Sequence, residues 1–526
     1  STSIKMVIIL IIGTATGIIA NHFVALFATN FTKKNRKLLI RNLESLTVDQ
    51  VNDFGVASLV TRMGNDNNNA QRLIVAFFQM ILPSPIMAVI SIFMTIKLSP
   101  TLALIPLFTI LVFALAIVLT LFKSLPYILK VQKKLDRMTL VLRERFIGAK
   151  IIRAFDNSKK ERDKFNDVAQ EYTDNYIIIN KKFALLSPMA FALMSVVITL
   201  IIFFGAMKVL NNTLEIGSIT AIVEYSLTTI AALIMSSMVL VQMPKAVVSI
   251  ERIEEVLNVT SEIKDKEELK DNSYYEDILK QNPISLTFDN VCFRYKGAEK
   301  QILKNISFSV KAGERFAIVG ATGSGKSTIA KVLLRLNDIE SGRILINGVN
   351  TLDLPLNCLR NQISYTPQKA YIFSGKIKDN FRFTNKNMTD EEMIKIAKIA
   401  QSYDFIDSLP DKFDSFVAQG GINFSGGQKQ RLSIARALSK DANIYLFDDS
   451  FSALDYATDA KLRKELKTFL KDKITIIIAQ RLNTIADADK IIVLKDSEIT
   501  GMGTHQELLE SNQEYIELAK SQGILE

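Results

Sequence analysis

The sequence has no tryptophan, and only two cysteines and two histidines among its 526 residues. Cys292 and Cys358 both lie late in the chain. Two such residues cannot form a disulfide scaffold, and they suit a reducing compartment. Nowhere do histidine and cysteine cluster with the spacing of a metal site. With 22 glycines and 11 prolines, the chain is neither collagen-like nor low-complexity. Without tryptophan, interfacial anchoring at a membrane falls to residues such as Tyr127, Tyr225 and Phe183.

What remains does not average into one object. The chain is 48% hydrophobic and 22% charged, with a mean hydropathy of +0.19. Apolar and charged residues must therefore occupy different regions. The length exceeds the roughly 250–300 residues at which single cores stop growing, so more than one domain is expected. The change in composition divides the chain into residues 1–256, a charged linker at 257–282, and residues 283–526.

The first region reads as α-helical and membrane-spanning. Met6–Phe31 carries no charge and exceeds the about 20 residues needed to cross a bilayer. Similar runs follow at Ile74–Ile96, Leu102–Phe122, Phe183–Met207 and Ile219–Met243. Two of the connections are short. The other two are long and basic, one with Lys33, Lys34, Arg36, Lys37 and Arg41, the other with Lys130, Lys133, Lys134, Arg137, Arg143 and Arg145. Basic connections stay on the cytoplasmic side. They account for much of the net charge of +10 without a nucleic-acid partner. Helical spacing in Arg36–Leu43 and Leu135–Leu142 predicts that the spans continue as helices into the cytoplasm. Five spans place the first residue outside, so the pattern predicts a sixth, preceding span in the native subunit.

The second region reads as an α/β P-loop ATPase. The strand Arg315–Val319 runs into Gly320-Ala321-Thr322-Gly323-Ser324-Gly325-Lys326-Ser327, followed by a helical pattern over Thr328–Leu336. This is G-x-x-x-x-G-K-[ST] in the strand-to-helix context that the motif requires. Its glycines let the backbone wrap phosphates, Lys326 suits the β- and γ-phosphates, and Ser327 suits Mg²⁺. ATP and Mg²⁺ are the cofactors expected. The apolar run Ile444–Phe447 ends in Asp448, the second metal-side group of such a site. A second anion-ready helix start, predicted over Gln428–Leu438, follows two glycines in Ser425-Gly426-Gly427-Gln428. One chain with one ATP has no need of it, whereas a neighbouring copy's ATP has.

Phe424-Ser425-Gly426-Gly427-Gln428 resembles the ABC transporter signature, with Phe424 in place of the usual Leu. Essentially the whole chain resembles a half-transporter of the ABC exporters, multidrug or lipid type. Arg143–Phe155 is similar to a cytoplasmic coupling region of those exporters. The resemblance implies that Tyr295 stacks on adenine and that Thr328 belongs to the ATP-binding loop. It implies that Gln368, in Tyr365-Thr366-Pro367-Gln368, contacts Mg²⁺ and senses the membrane domain. It further implies that Ser452-Ala453-Leu454-Asp455 communicates across a dimer, and that the chain sits in a bacterial plasma membrane with its ATPase domain inside.

Two positions depart from that family pattern. Where the family carries a glutamate that activates water, Asp449 is one methylene shorter. A base must lie within roughly 2.6–3.2 Å of its proton, so the loss of reach matters. Where the family carries a switch histidine, Gln480 stands before Arg481-Leu482 and cannot become cationic. The Asp-for-Glu change alone is compatible with drift. Both changes fall at one ATP site, and together they resemble the degenerate subunit of a heterodimeric exporter. The implied partner is a second half-transporter, whose ATP would be completed by Ser425, Gly426, Gly427 and Gln428. The expected cargo is apolar or amphipathic, drug-like or lipid-like. The alternatives are a homodimeric lipid or drug flippase and a non-hydrolysing, nucleotide-gated regulator.

Within the spans, Glu224 either faces a central cavity, where it would attract cations, or sits near the outer mouth. Asn21 and His22 read as polar groups bonded to a neighbouring helix. Met235, Met238 and Met243 read first as ordinary span residues, and second as an adaptable apolar surface. His505 reads as structural.

Overall fold

A computed structural model describes residues 2–266, 272–279 and 284–525. The chain divides into two compact units. One holds the residues up to Ser45 together with Val51–Thr260; the other holds Leu46–Gln50 and the residues from Ser261 onward.

The first unit is all helix. Five helical stretches among the described residues are long and apolar enough to cross a membrane; four contain the first four runs expected from the sequence, and the fifth, Ile216–Ser236, covers Ile219–Met243 only as far as Ser236. Helix Thr2–Ser45 runs unbroken from the first apolar run into the basic connection. Helices Pro83–Leu98 and Pro100–Ile147 are separated by Ser99 alone, whose extended backbone reverses the chain while Pro100 starts the next helix. The expected cytoplasmic extensions are present: Leu135–Leu142 lies within Pro100–Ile147, and Ser158–Ala184 returns towards the membrane.

The second apolar stretch is not a regular α-helix throughout. This stretch, Val56–Leu98, passes through a π turn at Arg62–Asp66 into helix Asn67–Ala76, widens into another π turn at Phe77–Ile81, and resumes at Pro83. There Leu82 N–H donates to Phe77 O, five residues back, at 2.8 Å. Pro83 and Pro85 follow at once, and a proline ring clashes with the carbonyl four residues before it in an ordinary α-helix, so a wider turn fits.

The spans pack through small residues and branched aliphatics. Val197, Ile201 and Ile222 are buried together with Leu102. A Cβ added to Gly205 would meet Ile219 Cγ1 at 2.9 Å, so helices Leu186–Leu210 and Ile216–Asn258 approach closely there because a side chain is absent. Asn21 accepts from Gln79 Nε2 at 3.0 Å, as a polar group inside a span must find a partner. The Met238 side chain lies outside the described residues, while Met235 and Met243 are exposed.

The second unit is built on two sheets. β1 (Ser285–Phe293), β2 (Leu303–Lys311), β4 (Ser341–Ile346) and β5 (Val349–Asn350) form an antiparallel sheet in the order β2-β1-β4-β5. The larger sheet takes β3 (Arg315–Gly320), β6 (Ile363–Thr366), β9 (Ile444–Asp448), β10 (Ile474–Ile478), β11 (Lys490–Lys495) and β12 (Glu498–Gly503). Its order is β12-β11-β3-β10-β9-β6, with only the β11–β12 pair antiparallel. A small hairpin pairs β7 (Gly375–Lys376) with β8 (Phe416–Val417).

Every residue of β3, β9 and β10 is buried, as parallel strands covered on both faces require. Stacked rings join the two sheets: Phe288 on Phe308 at 4.4 Å, and Phe308 on Phe316 at 4.7 Å. The charged linker carries a helix, Asn272–Leu279, whose Tyr275 and Leu279 enter the core beside Ile284 and Leu286. Residues 267–271 and 280–283 of that segment lie outside the described residues.

Candidate nucleotide site

In an open parallel sheet the ligand crevice lies at the carboxyl ends of the strands. Here those ends bring three sequence-distant segments together. β3 delivers Gly320, β9 delivers Asp448 and Asp449, and β6 leads through Thr366 to Gln368.

The loop after β3 has the shape its glycines permit. Gly325 takes φ +99°, and a Cβ there would meet Ile302 O at 2.6 Å. Gly323 takes φ +87° with open space around it. Lys326 opens the helix Lys326–Leu333, two residues earlier than the sequence pattern placed its start. Its Nζ donates to Gly320 O and Ala321 O, both at 2.7 Å. Ser324 Oγ is buried and has no hydrogen-bond partner among the described residues. Thr322, at the exposed tip, makes no side-chain hydrogen bond among the described residues.

Ser327 Oγ donates to Asp448 Oδ1 at 2.9 Å, which closes the expected metal-side pair. A residue that the sequence reading passed over completes it: Tyr365 OH donates to Asp448 Oδ2 at 3.3 Å. Only its place three residues before Gln368 hinted at this. Burial pushes the Asp448 carboxyl up, opposed by the Ser327 and Tyr365 hydrogen bonds. Burial pushes the Lys326 amine down, opposed by Asp449 and Asp448. In each case burial disfavours the charged form, a penalty that a polyanion near Lys326 and a cation near Asp448 would each oppose. The converging Ser327 and Asp448 oxygens, the buried unpartnered Ser324 hydroxyl and the glycine-lined loop fit a phosphate with its divalent ion.

Asp449 stands at φ +46°, and its N–H donates to Ile478 O at 2.8 Å. Its carboxylate is turned to Gln368, whose Nε2 donates to Asp449 Oδ2 at 3.1 Å. The Gln480 side chain is exposed and has no hydrogen-bond partner among the described residues. Its backbone is held, however. Gln522 Nε2 donates to Gln480 O at 2.8 Å, and Gln522 Oε1 accepts from Leu482 N–H at 2.9 Å. Nothing near position 480 in sequence announces that contact.

Tyr295 follows β1, with its hydroxyl 3.3 Å from Thr328 Oγ1 and accepting from Lys331 Nζ at 3.0 Å. Phe293 meets its ring edge-on at 4.9 Å. The aromatic is thereby held against the helix that starts at Lys326.

The signature segment stands apart. Ser425 caps the helix Gly426–Leu438 with a reciprocal pair: its Oγ accepts from Gln428 N–H at 3.3 Å, and Gln428 Oε1 accepts from Ser425 N–H at 2.9 Å. The helix begins two residues earlier than expected, because Gly426 and Gly427 are already helical. Phe424, the unusual residue, is buried against Phe405 with ring centroids 6.2 Å apart. Ser425 and Gly426 are exposed, and no hydrogen bond joins them to the P-loop among the described residues. Ser452 Oγ donates to Asp449 O at 2.9 Å, and Asp455 caps the next helix through Thr458 N–H. No group of three or more potential metal-ligating His, Cys, Asp or Glu residues occurs among the described residues.

A glycine-wrapped lysine, a serine–aspartate pair at the end of a parallel sheet and a helix-capping signature define an ABC ATPase joined to membrane helices. Residues 303–452 match the ABC transporter family, and residues 1–233 match the ABC transporter transmembrane region. The chain is 32% identical over 517 residues to an uncharacterized ABC transporter ATP-binding protein of Bacillus subtilis, YfiB, covering 98% of this chain and 88% of that one. An ATP-dependent lipid A-core flippase of Haemophilus influenzae is 32% identical over 417 residues, which cover 78% of this chain and 69% of the flippase. A bacterial Atm1-family ABC exporter solved with ATP bound shares the fold, with TM-score 0.80 at 24% identity over 94% of this chain and 86% of the other.

The chain belongs to the ABC transporters. It is a half-transporter of exporter type, a membrane protein with a cytoplasmic ATP-binding domain that couples ATP hydrolysis to transport.

Proposed function

We propose that this chain is one subunit of a heterodimeric exporter, with a nucleotide site of its own that turns over slowly and a signature that completes the working site of its partner. The observation that carries the reading is the Gln368–Asp449 hydrogen bond, 3.1 Å long. The shorter carboxylate is engaged by the very residue that in this family reports on the membrane domain. Gln480, exposed and uncharged at the pH of the cell, adds a second weakness at the same site.

In this reading Gly320, Gly323, Ser324, Gly325 and Lys326 hold the phosphates, with Thr322 at the loop tip. Tyr295 and Thr328 border the base and the loop. Ser327, Asp448 and Gln368 would hold Mg²⁺, which supplies neutralisation of phosphate charge when bound. Ser425, Gly426, Gly427 and Gln428 offer an exposed helix N-terminus to the partner's nucleotide. The cargo is an apolar or amphipathic molecule leaving the cytoplasm.

The test is Mg-ATPase of the full-length subunit in nanodiscs, alone and co-purified with a partner encoded beside it. The chain alone should be near background and the pair active, with the pair keeping most of its turnover in the Lys326→Ala form. Asp449→Glu should raise turnover at this chain's site by about ten-fold, since added reach restores the base. Vigorous turnover by the chain alone, abolished by Lys326→Ala, would sink the heterodimer. That outcome would favour a homodimeric lipid flippase, a second reading supported by the similarity to lipid A-core flippases.

A further inference from the structure

Inside a membrane an unpaired carboxylate is costly, and where one persists it faces a partner, a cavity or a ligand. Glu224 lies in helix Ile216–Asn258, about 12 Å from its start at roughly 1.5 Å per residue. It has no ion-pair partner among the described residues. It lines a cavity of about 460 Å³ with Gln79, Met80, Ser84, Met87 and Met235. No basic side chain among the described residues lines that cavity. Lys245, on the same helix, lies roughly 30 Å further along at about 1.5 Å per residue, in a neighbouring cavity with Arg72.

The cavity carries further marks of a polar ligand. Ser84 is only 2% exposed, and its hydroxyl has no hydrogen-bond partner among the described residues. A buried hydroxyl without a hydrogen bond is destabilising, and a bound polar group would relieve it. Gln79 and Met80 are presented by the π turn at Phe77–Ile81, a widening of the helix of the kind often found where a helix serves a site. The remaining walls are soft: Met80, Met87 and Met235 carry polarisable, unbranched thioethers that adapt to varied apolar shapes.

We propose that this cavity binds a lipophilic cation, with the Glu224 carboxylate opposing the positive charge and the thioethers packing the apolar remainder. Resting on the export reading above, it narrows the cargo from apolar or amphipathic molecules in general to cationic amphiphiles. It does not depend on how ATP is shared between subunits.

The experiment measures binding without nucleotide, on the full-length protein in nanodiscs with its partner present where one is required. The probes are ethidium, a lipophilic cation, and Nile red, a neutral dye, each corrected for empty nanodiscs. Glu224→Gln should weaken ethidium binding at least about ten-fold and leave Nile red within about two-fold, while Glu224→Asp should recover most of the ethidium affinity. Absence of ethidium binding to the unaltered protein would overturn the proposal, as would equal ethidium affinity in Glu224→Gln. Parallel loss of both dyes would show that Glu224 holds the spans together, and would overturn it as well. Failure of the export reading shows differently: ethidium binds and responds to Glu224→Gln, but no ATP-dependent movement of any dye is seen.

Discussion

At the scale of single residues, the nucleotide domain depends on charges brought together from distant parts of the chain. Arg315, at the start of β3, is 9% exposed at its side chain and meets the Asp487 carboxylate through both terminal nitrogens, at 2.7 and 3.0 Å. Burial alone would raise the Asp487 carboxyl, but the Arg315 hydrogen bonds and the charge of Arg463 outweigh it and hold the group below its ordinary value. A carboxyl depressed in the folded state contributes stability that is present above its unfolded pKa, about 3.9, and lost as pH falls through the folded value. Asp487→Asn should therefore lower the thermal midpoint at pH 7, by an amount equivalent to about 1 kcal/mol, because Asp487 is half exposed and solvent screens the pair. Near pH 3 the difference from the unaltered protein should shrink. Thermal unfolding of the full-length protein at the two pH values checks this, and a difference that persists unchanged at low pH would assign the effect to packing.

At the scale of elements, the sequence was readable wherever chemistry demands contiguous residues. The spans follow from runs of apolar residues, and the P-loop from eight consecutive positions between a strand and a helix. What escaped was set by contacts between elements. Tyr365 reaches Asp448 because β6 and β9 are parallel neighbours, a pairing that no local pattern states. The π turn before Pro83 was concealed for another reason, since proline within a hydrophobic run signals a disturbance without fixing its form. The C-terminal helix Gln513–Ser521 is a third case. Tyr515 and Ala519 anchor it in the core that also holds Ala479 and Leu482, and Gln522 at its end brackets the backbone of residues 480–482. That side chain offers one donor and one acceptor, as a neighbouring strand would. Gln522→Ala should leave the thermal midpoint within a few degrees, since the side chain is exposed and each bond contributes about 1 kcal/mol. It should also speed hydrogen exchange at Leu482 N–H several-fold. Peptide-level exchange over residues 479–485 reads the effect, and unchanged protection there would mean that the turn is fixed by Leu482 packing alone.

At the scale of the whole molecule, the proposed reading gives the same polypeptide two half-sites of unequal quality. Its P-loop side has a lysine, a serine–aspartate pair and a shortened carboxylate bonded to Gln368. Its signature side is a capped helix start facing solvent. If one chain's P-loop meets the other chain's signature, damage to the two ends must have different consequences, and the substitutions can be chosen so that folding is not at issue. A Cβ at Gly426 would meet nothing within 4 Å, and a carboxylate in the first turn of a helix is favourable. Gly426→Asp therefore leaves the chain folded while placing a negative charge where a partner's phosphates would approach. In the active pair it should reduce ATPase at least about 100-fold, whereas Lys326→Ala should cost no more than about three-fold. The contrast is read from steady-state ATPase of the two variant pairs, with nucleotide-free thermal midpoints as the folding control. Equal losses from both would mean that the two ends serve equivalent sites, as in a homodimer. A larger loss from Lys326→Ala would invert the assignment and make this chain's own P-loop the working one.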